Sequence, residues 1–358
     1  MHASNLVAEI KKKDKKAEFR GFGGDLMKAQ DVELVKHYRM MAYMGFIEVV
    51  ANLRKVMGNI SQCKKDILEY QPDVVILVDY PGFNLRIADF AHEKGFKVVY
   101  YVSPQVWAWK RRRVHKIKKS VDKMLVILPF EEEFYKRYGV NVTYVGNPLL
   151  DELAKSGAAN RSIFLRRNSI GEKREIIALL PGSRRQEVKR VLPVMLKAVP
   201  HFPNYQFVIG GVSSLDKSLY KSIIGNSDVF FVENQTYELL QNSSAALVTS
   251  GTATLETALF SVPEVVCYKA TGFSYRLAKW MIKVKFISLV NLVMNKEVVK
   301  ELIQGDLNEE NVVKELDVLL HNAKRQRKLL EDYEELKARL GDVGASARAA
   351  AEICQGIK

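Results

Sequence analysis

Apolar runs of single-strand length alternate with helix-patterned stretches along most of this chain, and that alternation leaves few folds open to it. Runs at 74–78, 97–102, 124–128 and 142–145 are separated by helical spacing at 85–93, 110–120 and 130–138. A second series has runs at 176–180, 206–209, 229–232, 245–248 and 265–268. Its helices start at Glu187 and Thr252 or span 215–224 and 237–241. Strands that take turns with helices pair in parallel, and the helices then cover both faces of the sheet. A length of 358 residues is long for one core and suits two such domains. We expect an α/β domain over 1–150, a polar linker over 151–174, a second α/β domain over 175–320 and C-terminal helices over 321–358. Whether that tail returns to the first domain is left open.

The first domain starts unusually. Ala3, Leu6, Val7 and Ile10 share one helical face, so the chain opens on an amphipathic helix, and a short strand over 19–23 follows. Doubly wound domains usually begin with a central strand and a phosphate-facing turn. The expectation is therefore a first domain without its N-terminal strand.

A net charge of +14 calls for an anionic partner: nucleic acid, a membrane surface or phosphorylated substrates. Lys110-Arg111-Arg112-Arg113 with Lys116, Lys118 and Lys119 directly follows Trp107 and Trp109. The stretch 272–288 mixes Phe273, Tyr275, Trp280 and Phe286 with Arg276, Lys279, Lys283 and Lys285, as a helix lying at a membrane interface does. The same aromatics also fit a domain core. Aromatic interleaving in the basic run is sparse and RNA-binding motifs are absent, so nucleic acid is not the expected partner. The apolar runs are too short to span a bilayer, and the lysine-rich start has no signal-peptide core. Cys63, Cys267 and Cys354 are scattered, which indicates neither a disulfide framework nor a zinc site. A cytoplasmic location is expected.

Three turns carry chemistry. Thr249-Ser250-Gly251-Thr252 leads from an apolar run into a helix whose first N–H groups would face an anion, with Ser250 or Thr252 as N-cap and Gly251 allowing a sharp turn. Glu256, one helical turn on, could accept two hydrogen bonds from a diol. The same residues also fit an ordinary strand–helix junction with a solvated glutamate. Pro181-Gly182-Ser183-Arg184 occupies the corresponding place after 176–180, where small residues and an arginine suit a pyrophosphate. Arg184 as a plain surface charge is the alternative. Asp79 ends the run 74–78 and is followed by Tyr80-Pro81-Gly82; it could serve as a general base toward a hydroxyl. Its alternative is a cap for a helix from Leu85, a task Asn84 already fills. The six histidines are isolated and no D-x-D triplet occurs, so no metal is expected, and no other cofactor. Charge on a leaving diphosphate would fall to Arg184 and the helix N-termini.

With these residues assembled, the sequence resembles the lipid-A-disaccharide synthases, glycosyltransferases of the two-domain GT-B fold. The resemblance runs through nearly the whole chain. It rests on Met44-Gly45-Phe46-Ile47-Glu48-Val49, Asp79-Tyr80-Pro81-Gly82-Phe83-Asn84, Ser103-Pro104-Gln105-Val106-Trp107-Ala108-Trp109 and Leu128-Pro129-Phe130-Glu131. It continues through Gly146-Asn147-Pro148, Leu180-Pro181-Gly182-Ser183-Arg184, Ser250-Gly251-Thr252-Ala253 with Glu256, and Ser288-Leu289-Val290-Asn291-Leu292.

The resemblance implies two Rossmann-like domains facing a cleft and an inverting, metal-independent transfer. UDP-2,3-diacylglucosamine and 2,3-diacylglucosamine 1-phosphate would give the β-1,6-linked disaccharide 1-phosphate and UDP, a step of lipid A (lipopolysaccharide) biosynthesis. It implies Asp79 as base, Arg184 with Ser183 on the UDP phosphates, Ser250, Gly251 and Thr252 in the nucleotide turn, Glu256 on the ribose, and Asn291 near the donor. Trp107, Trp109, Phe273 and Trp280 would meet lipid at the cytoplasmic face of the inner membrane. Oligomeric state stays open, a homodimer included. The family opens with a strand and a G-E-x-S-G-D loop, and Met1-His2-Ala3 begins where that loop ends; a truncated, inactive form is thus one reading of the chain. Another GT-B enzyme of UDP-sugars, an N-acetylglucosaminyl transferase or an epimerase, is the alternative.

Overall fold

A computed structural model of the chain describes residues 1–40, 53–108, 111–271 and 284–357. The described chain forms two compact units, Met1–Glu152 with Gly341–Lys358, and Leu153–Leu340. Every strand pair in either unit is parallel, as the alternation requires.

In the first unit, β1 (Arg20–Gly23) and β2 (Glu33–His37) pair as a separate two-stranded sheet. The strands β3 (Val74–Val78), β4 (Lys97–Tyr101), β5 (Lys123–Val126) and β6 (Val142–Tyr144) form the main sheet in that order. The two-residue period of a strand sorts its side chains by face. Val98, Tyr100, Met124 and Val126 join a core with Phe83, Ile87, Ala88, Ile117 and Tyr135 from the crossover helices. Val99, Tyr101 and Leu125 point the other way, against Leu6 and Ile10 of helix His2–Lys13 and Ala349, Ala350 and Ile353 of helix Ala345–Ile357. That terminal helix thus belongs to the first unit. Its N-terminus is capped by Asp151, whose carboxylate accepts from the N–H groups of Gly344 at 2.5 Å, Ala345 at 3.2 Å and Ser346 at 3.0 Å. Arg348 Nε donates to the Val145 carbonyl at 2.8 Å.

The second unit contains β7 (Glu175–Leu180), β8 (Tyr205–Gly211), β9 (Val229–Glu233), β10 (Ser243–Thr249), β11 (Glu264–Tyr268) and β12 (Lys300–Ile303). Their order in the sheet is β12-β11-β10-β7-β8-β9. This is the doubly wound arrangement, with the chain reversing its direction of build between neighbours β7 and β10. The central strands carry near-continuous apolar runs because both of their faces are covered: Ile176 to Leu179 and Ala245 to Val248 are fully buried.

Four expectations need correction. The stretch 151–174 is no linker, because helix Arg161–Arg167 buries Phe164 and Leu165 in the second core. Three consecutive apolar residues, of which two are buried, in a seven-residue helix give no period to recognise. The chain beyond Lys296 is not wholly helical, since the charged tetrapeptide of β12 extends the sheet beyond β11. The helix expected from Leu85 starts at Pro81, where the fixed φ and missing N–H of proline suit the first helical position. The helix expected over 110–120 is described as Arg113–Ser120.

Glu264 at the head of β11 is 1% exposed, and neither carboxylate oxygen has a partner among the described residues. Burial, reinforced by the nearby Glu301, raises its pKa well above the ordinary glutamate value, so the folded chain keeps this proton. The unfolded chain releases it above the ordinary range. The contribution to stability is therefore full below that range and is lost as pH rises from it through the raised value of the folded chain. Urea unfolding at rising pH is expected to show this decline, and Glu264→Gln to flatten it while stabilising the fold at alkaline pH.

Candidate functional site

In the second unit the site grows from two neighbouring strands. Leu180 of β7 is paired with Val248 of β10, so the turns that follow them sit side by side at the carboxyl edge of the sheet. A reversal point leaves a crevice there, because the two crossover helices go to opposite faces. After β7, Gly182 takes φ +101, and a Cβ there would lie 2.6 Å from Glu187 Oε2. Only glycine fits. Glu187 in turn accepts from the Arg184 backbone N–H at 3.2 Å and from Arg184 Nη1 at 2.9 Å. Arg184 is held by one edge while its side chain remains 67% exposed, which leaves guanidinium donors for a phosphate.

After β10, the Ser250 N–H donates to the Cys267 carbonyl of β11 at 3.2 Å and its Oγ to the Ile287 carbonyl at 2.9 Å. Ser250 thus braces the turn rather than capping the helix. Gly251 is the N-cap of helix Thr252–Leu259, with no side-chain cap bond. Its φ of 162° is extended backbone that any residue adopts, so the sharp glycine turn expected here is absent. What glycine supplies is room, since a Cβ there would meet nothing within 4 Å. The exposed Thr252 begins the helix and leaves its first N–H groups in that space. Glu256, one turn further on, is partly buried beside Tyr237, whose hydroxyl lies 3.4 Å from Oε1. Burial raises the Glu256 pKa and the Tyr237 bond offsets part of that. Tyr237 was not singled out from the sequence, where it is one apolar-face residue of a short helix like any other.

Asn291 is not a ligand residue. It is fully buried, and both ends of its amide are engaged: Nδ2 donates to the Val299 carbonyl at 2.8 Å and Glu301 Oε1 at 2.9 Å, while Oδ1 accepts from the Val298 and Val299 N–H groups at 2.8 and 2.9 Å. Glu301 also accepts from the N–H groups of Ile287 and Ser288. Since Ser250 holds the Ile287 carbonyl, Asn291 and Glu301 prop the 250–252 turn from behind.

In the first unit Asp79 follows β3 with φ +49, and Tyr80 follows it with φ +45. Two successive non-glycine residues in the left-handed region are strained and must be held. The Asp79 peptide is held at both ends: its N–H donates to the Tyr101 carbonyl at 3.1 Å, and its carbonyl accepts from Tyr100 OH at 2.5 Å and Asn84 Nδ2 at 2.7 Å. Asn84 therefore ties back the strand end instead of capping a helix. The Asp79 side chain reaches solvent, yet partial burial raises its pKa, opposed by the Tyr80 N–H and by His2. A carboxylate so placed is a better base than an ordinary aspartate.

Trp107 is a correction. Expected at a lipid surface, it is 5% exposed, edge-on to Phe130 at 5.0 Å, with Nε1 donating to Glu131 at 3.2 Å. A buried indole needs such a partner. Trp109, Phe273, Trp280 and the motif 44–49 lie outside the described residues.

The family described as lipid-A-disaccharide synthetase matches residues 1–353. The lipid-A-disaccharide synthase of Syntrophus aciditrophicus is 40% identical over 365 residues, covering 100% of this chain and 95% of that protein. The one from Myxococcus xanthus is 37% identical, covering 99% and 94%. Among solved structures, UDP-GlcNAc 2-epimerase from Neisseria meningitidis bound to UDP-GlcNAc has a TM-score of 0.70 at 12% identity, covering 98% of this chain and 95% of that one. The glycosyltransferase of kitacinnamycin has a TM-score of 0.65 at 14% identity, covering 99% and 94%. At such identities the structures speak for the fold alone.

Asn291→Ala leaves two buried N–H groups and a carbonyl without partners, so it is expected to cost roughly 3 kcal/mol, read as a lowered urea midpoint. A residue that only touched ligand would leave that midpoint in place.

Proposed function

The chain belongs to the lipid-A-disaccharide synthase family and is a GT-B glycosyltransferase; from that premise we propose how its residues divide the reaction. The donor, UDP-2,3-diacylglucosamine, is held by the second domain. The observation that carries this reading is the pairing of β7 with β10 at the reversal point, which brings the Arg184 turn beside the Gly251–Thr252 turn. Ser183 and Arg184 hold the diphosphate. The open N-terminus of helix Thr252–Leu259 adds its dipole. Glu256 accepts the ribose hydroxyls, its second oxygen facing the sugar while Tyr237 orients the first.

Asp79 takes the proton from the 6-hydroxyl of 2,3-diacylglucosamine 1-phosphate, and that oxygen attacks the donor C1 with inversion as UDP leaves. Its backbone is fixed at both ends while the carboxylate stays exposed, which suits a base that must meet a substrate hydroxyl. Charge that develops on the leaving diphosphate is met by Arg184.

Both substrates are anionic amphiphiles, so the enzyme works on a membrane surface, docked from the cytoplasmic side. Support comes from exposed Arg111, Arg112, Lys118 and Lys119, a cationic face attracted to anionic lipid. No described helix is long and apolar enough to cross a membrane.

UDP release from the diacylated donor in the presence of acceptor tests the assignment. Asp79→Asn is expected to lower kcat by roughly 10²-fold or more with little change in donor KM. Arg184→Ala is expected to lower kcat/KM by about 10²-fold or more. Full turnover in Asp79→Asn removes the assigned base.

A further inference from the structure

One buried carboxylate in the first domain takes no part in the reaction described above, yet four donors converge on it. Glu131 is 1% exposed. Its Oε1 accepts from Ser103 Oγ and from Trp107 Nε1 at 3.2 Å, and its Oε2 accepts from the N–H groups of Ile127 at 3.2 Å and Leu128 at 3.0 Å. The oxygens thus join two connections: one leaves β4 and contains Ser103 and Trp107, the other leaves β5 and contains Ile127 and Leu128. Burying a charge is costly unless it is bonded this fully.

What the clamp holds is strained. Val102, between β4 and Ser103, has φ +62, a conformation that β-branched residues rarely adopt. The peptide on its amino side is shared with Asp79, since the Tyr101 carbonyl accepts the Asp79 N–H at 3.1 Å while the Val102 N–H donates to Leu125. A continuous set of bonds therefore runs from Glu131 through Ser103, Val102 and Tyr101 to the backbone of Asp79.

We propose that Glu131 is a positioning residue: its ionised carboxylate fixes the 103–107 turn and, through Val102, the strand end that presents Asp79. The inference rests on Asp79 as the base. Protonation removes the charge that strengthens all four bonds and makes one oxygen a donor, which of the four partners only the Ser103 hydroxyl can accept, by turning its own proton to the Pro104 carbonyl at 3.4 Å. Burial raises the Glu131 pKa to about 7, against the lowering pull of Ser103, Leu128, Ile127 and Trp107. The titratable groups around it are the phenols of Tyr135 on its own helix and Tyr144 on β6, both held above the ordinary tyrosine value by burial and so neutral in this range. The clamp is thus closed above neutrality and loosens below it.

Three readouts test this. With Trp109→Phe and Trp280→Phe, Trp107 is the remaining tryptophan of three, and its emission reports Glu131 directly. The emission is expected to titrate with a midpoint of about 7. Ser103→Ala, which removes one donor to the carboxylate, is expected to move that midpoint up by about one unit, and Glu131→Gln to abolish the step. In the otherwise unaltered chain, Ser103→Ala is expected to speed hydrogen exchange at the Asp79 amide by about tenfold. If the clamp sets activity, kcat falls as pH drops through about 7, and Ser103→Ala is expected to move that fall to higher pH while donor KM, assigned to the other domain, stays put.

An emission that ignores Glu131→Gln overturns the clamp. Unchanged Asp79 exchange in Ser103→Ala overturns the link to Asp79, even if the variant is less active. If the unaltered chain releases no UDP, the functional reading fails, while emission and exchange still decide whether Glu131 holds the Asp79 strand end.

Discussion

Parallel pairing governs where chemistry can occur in this molecule. A parallel strand must be re-entered from the same end, so each connection crosses a face of the sheet and every strand hands over to its helix along one edge. Asp79, Val102 and Leu128 follow three neighbouring strands of the first domain. Arg184 and Ser250 follow two of the second. Residues distant in sequence are thereby gathered without any contact between them being specified in advance.

In the first domain that edge also departs from preferred backbone conformations. Asp79, Tyr80 and Val102 are left-handed without being glycine, a cost of about 1–3 kcal/mol each. Buried side chains offset this: Tyr100 and Asn84 on the Asp79 carbonyl, Glu131 on the turn beyond Val102. In the second domain Gly182 absorbs the left-handed turn, and the burden moves to Asn291 and Glu301 behind Ser250. Both domains thus surround an exposed polar residue with a buried polar network, one braced against strain and the other against an unsupported turn.

The alternation of runs made the α/β architecture legible, because a buried parallel strand must be apolar on both faces. Short elements with a single buried side were not legible: Lys300–Ile303 buries only Leu302, and Arg161–Arg167 buries two residues. At the candidate site, the exposed positions of Asp79 and Arg184 could be read from their place after a strand. Residues whose role depends on what their polar atoms touch could not. Asn291 and Trp107 look like surface chemistry in a motif, and only three-dimensional pairing shows an amide and an indole consumed by the protein itself.

The return of the tail to the first unit has a consequence for how the chain comes off the ribosome. The second domain is contiguous in sequence and holds all its own strands, so it can finish as soon as its last helix emerges. The first domain begins earlier and ends later. Val99, Tyr101 and Leu125, met on this face by Leu6 and Ile10, stay incompletely covered until Ala349, Ala350 and Ile353 arrive. Asp151 cannot close the contact before Gly344 has been made. The half synthesised first is therefore the half exposed longest to chaperones and to aggregation, and its completion waits for residues made after the whole second domain.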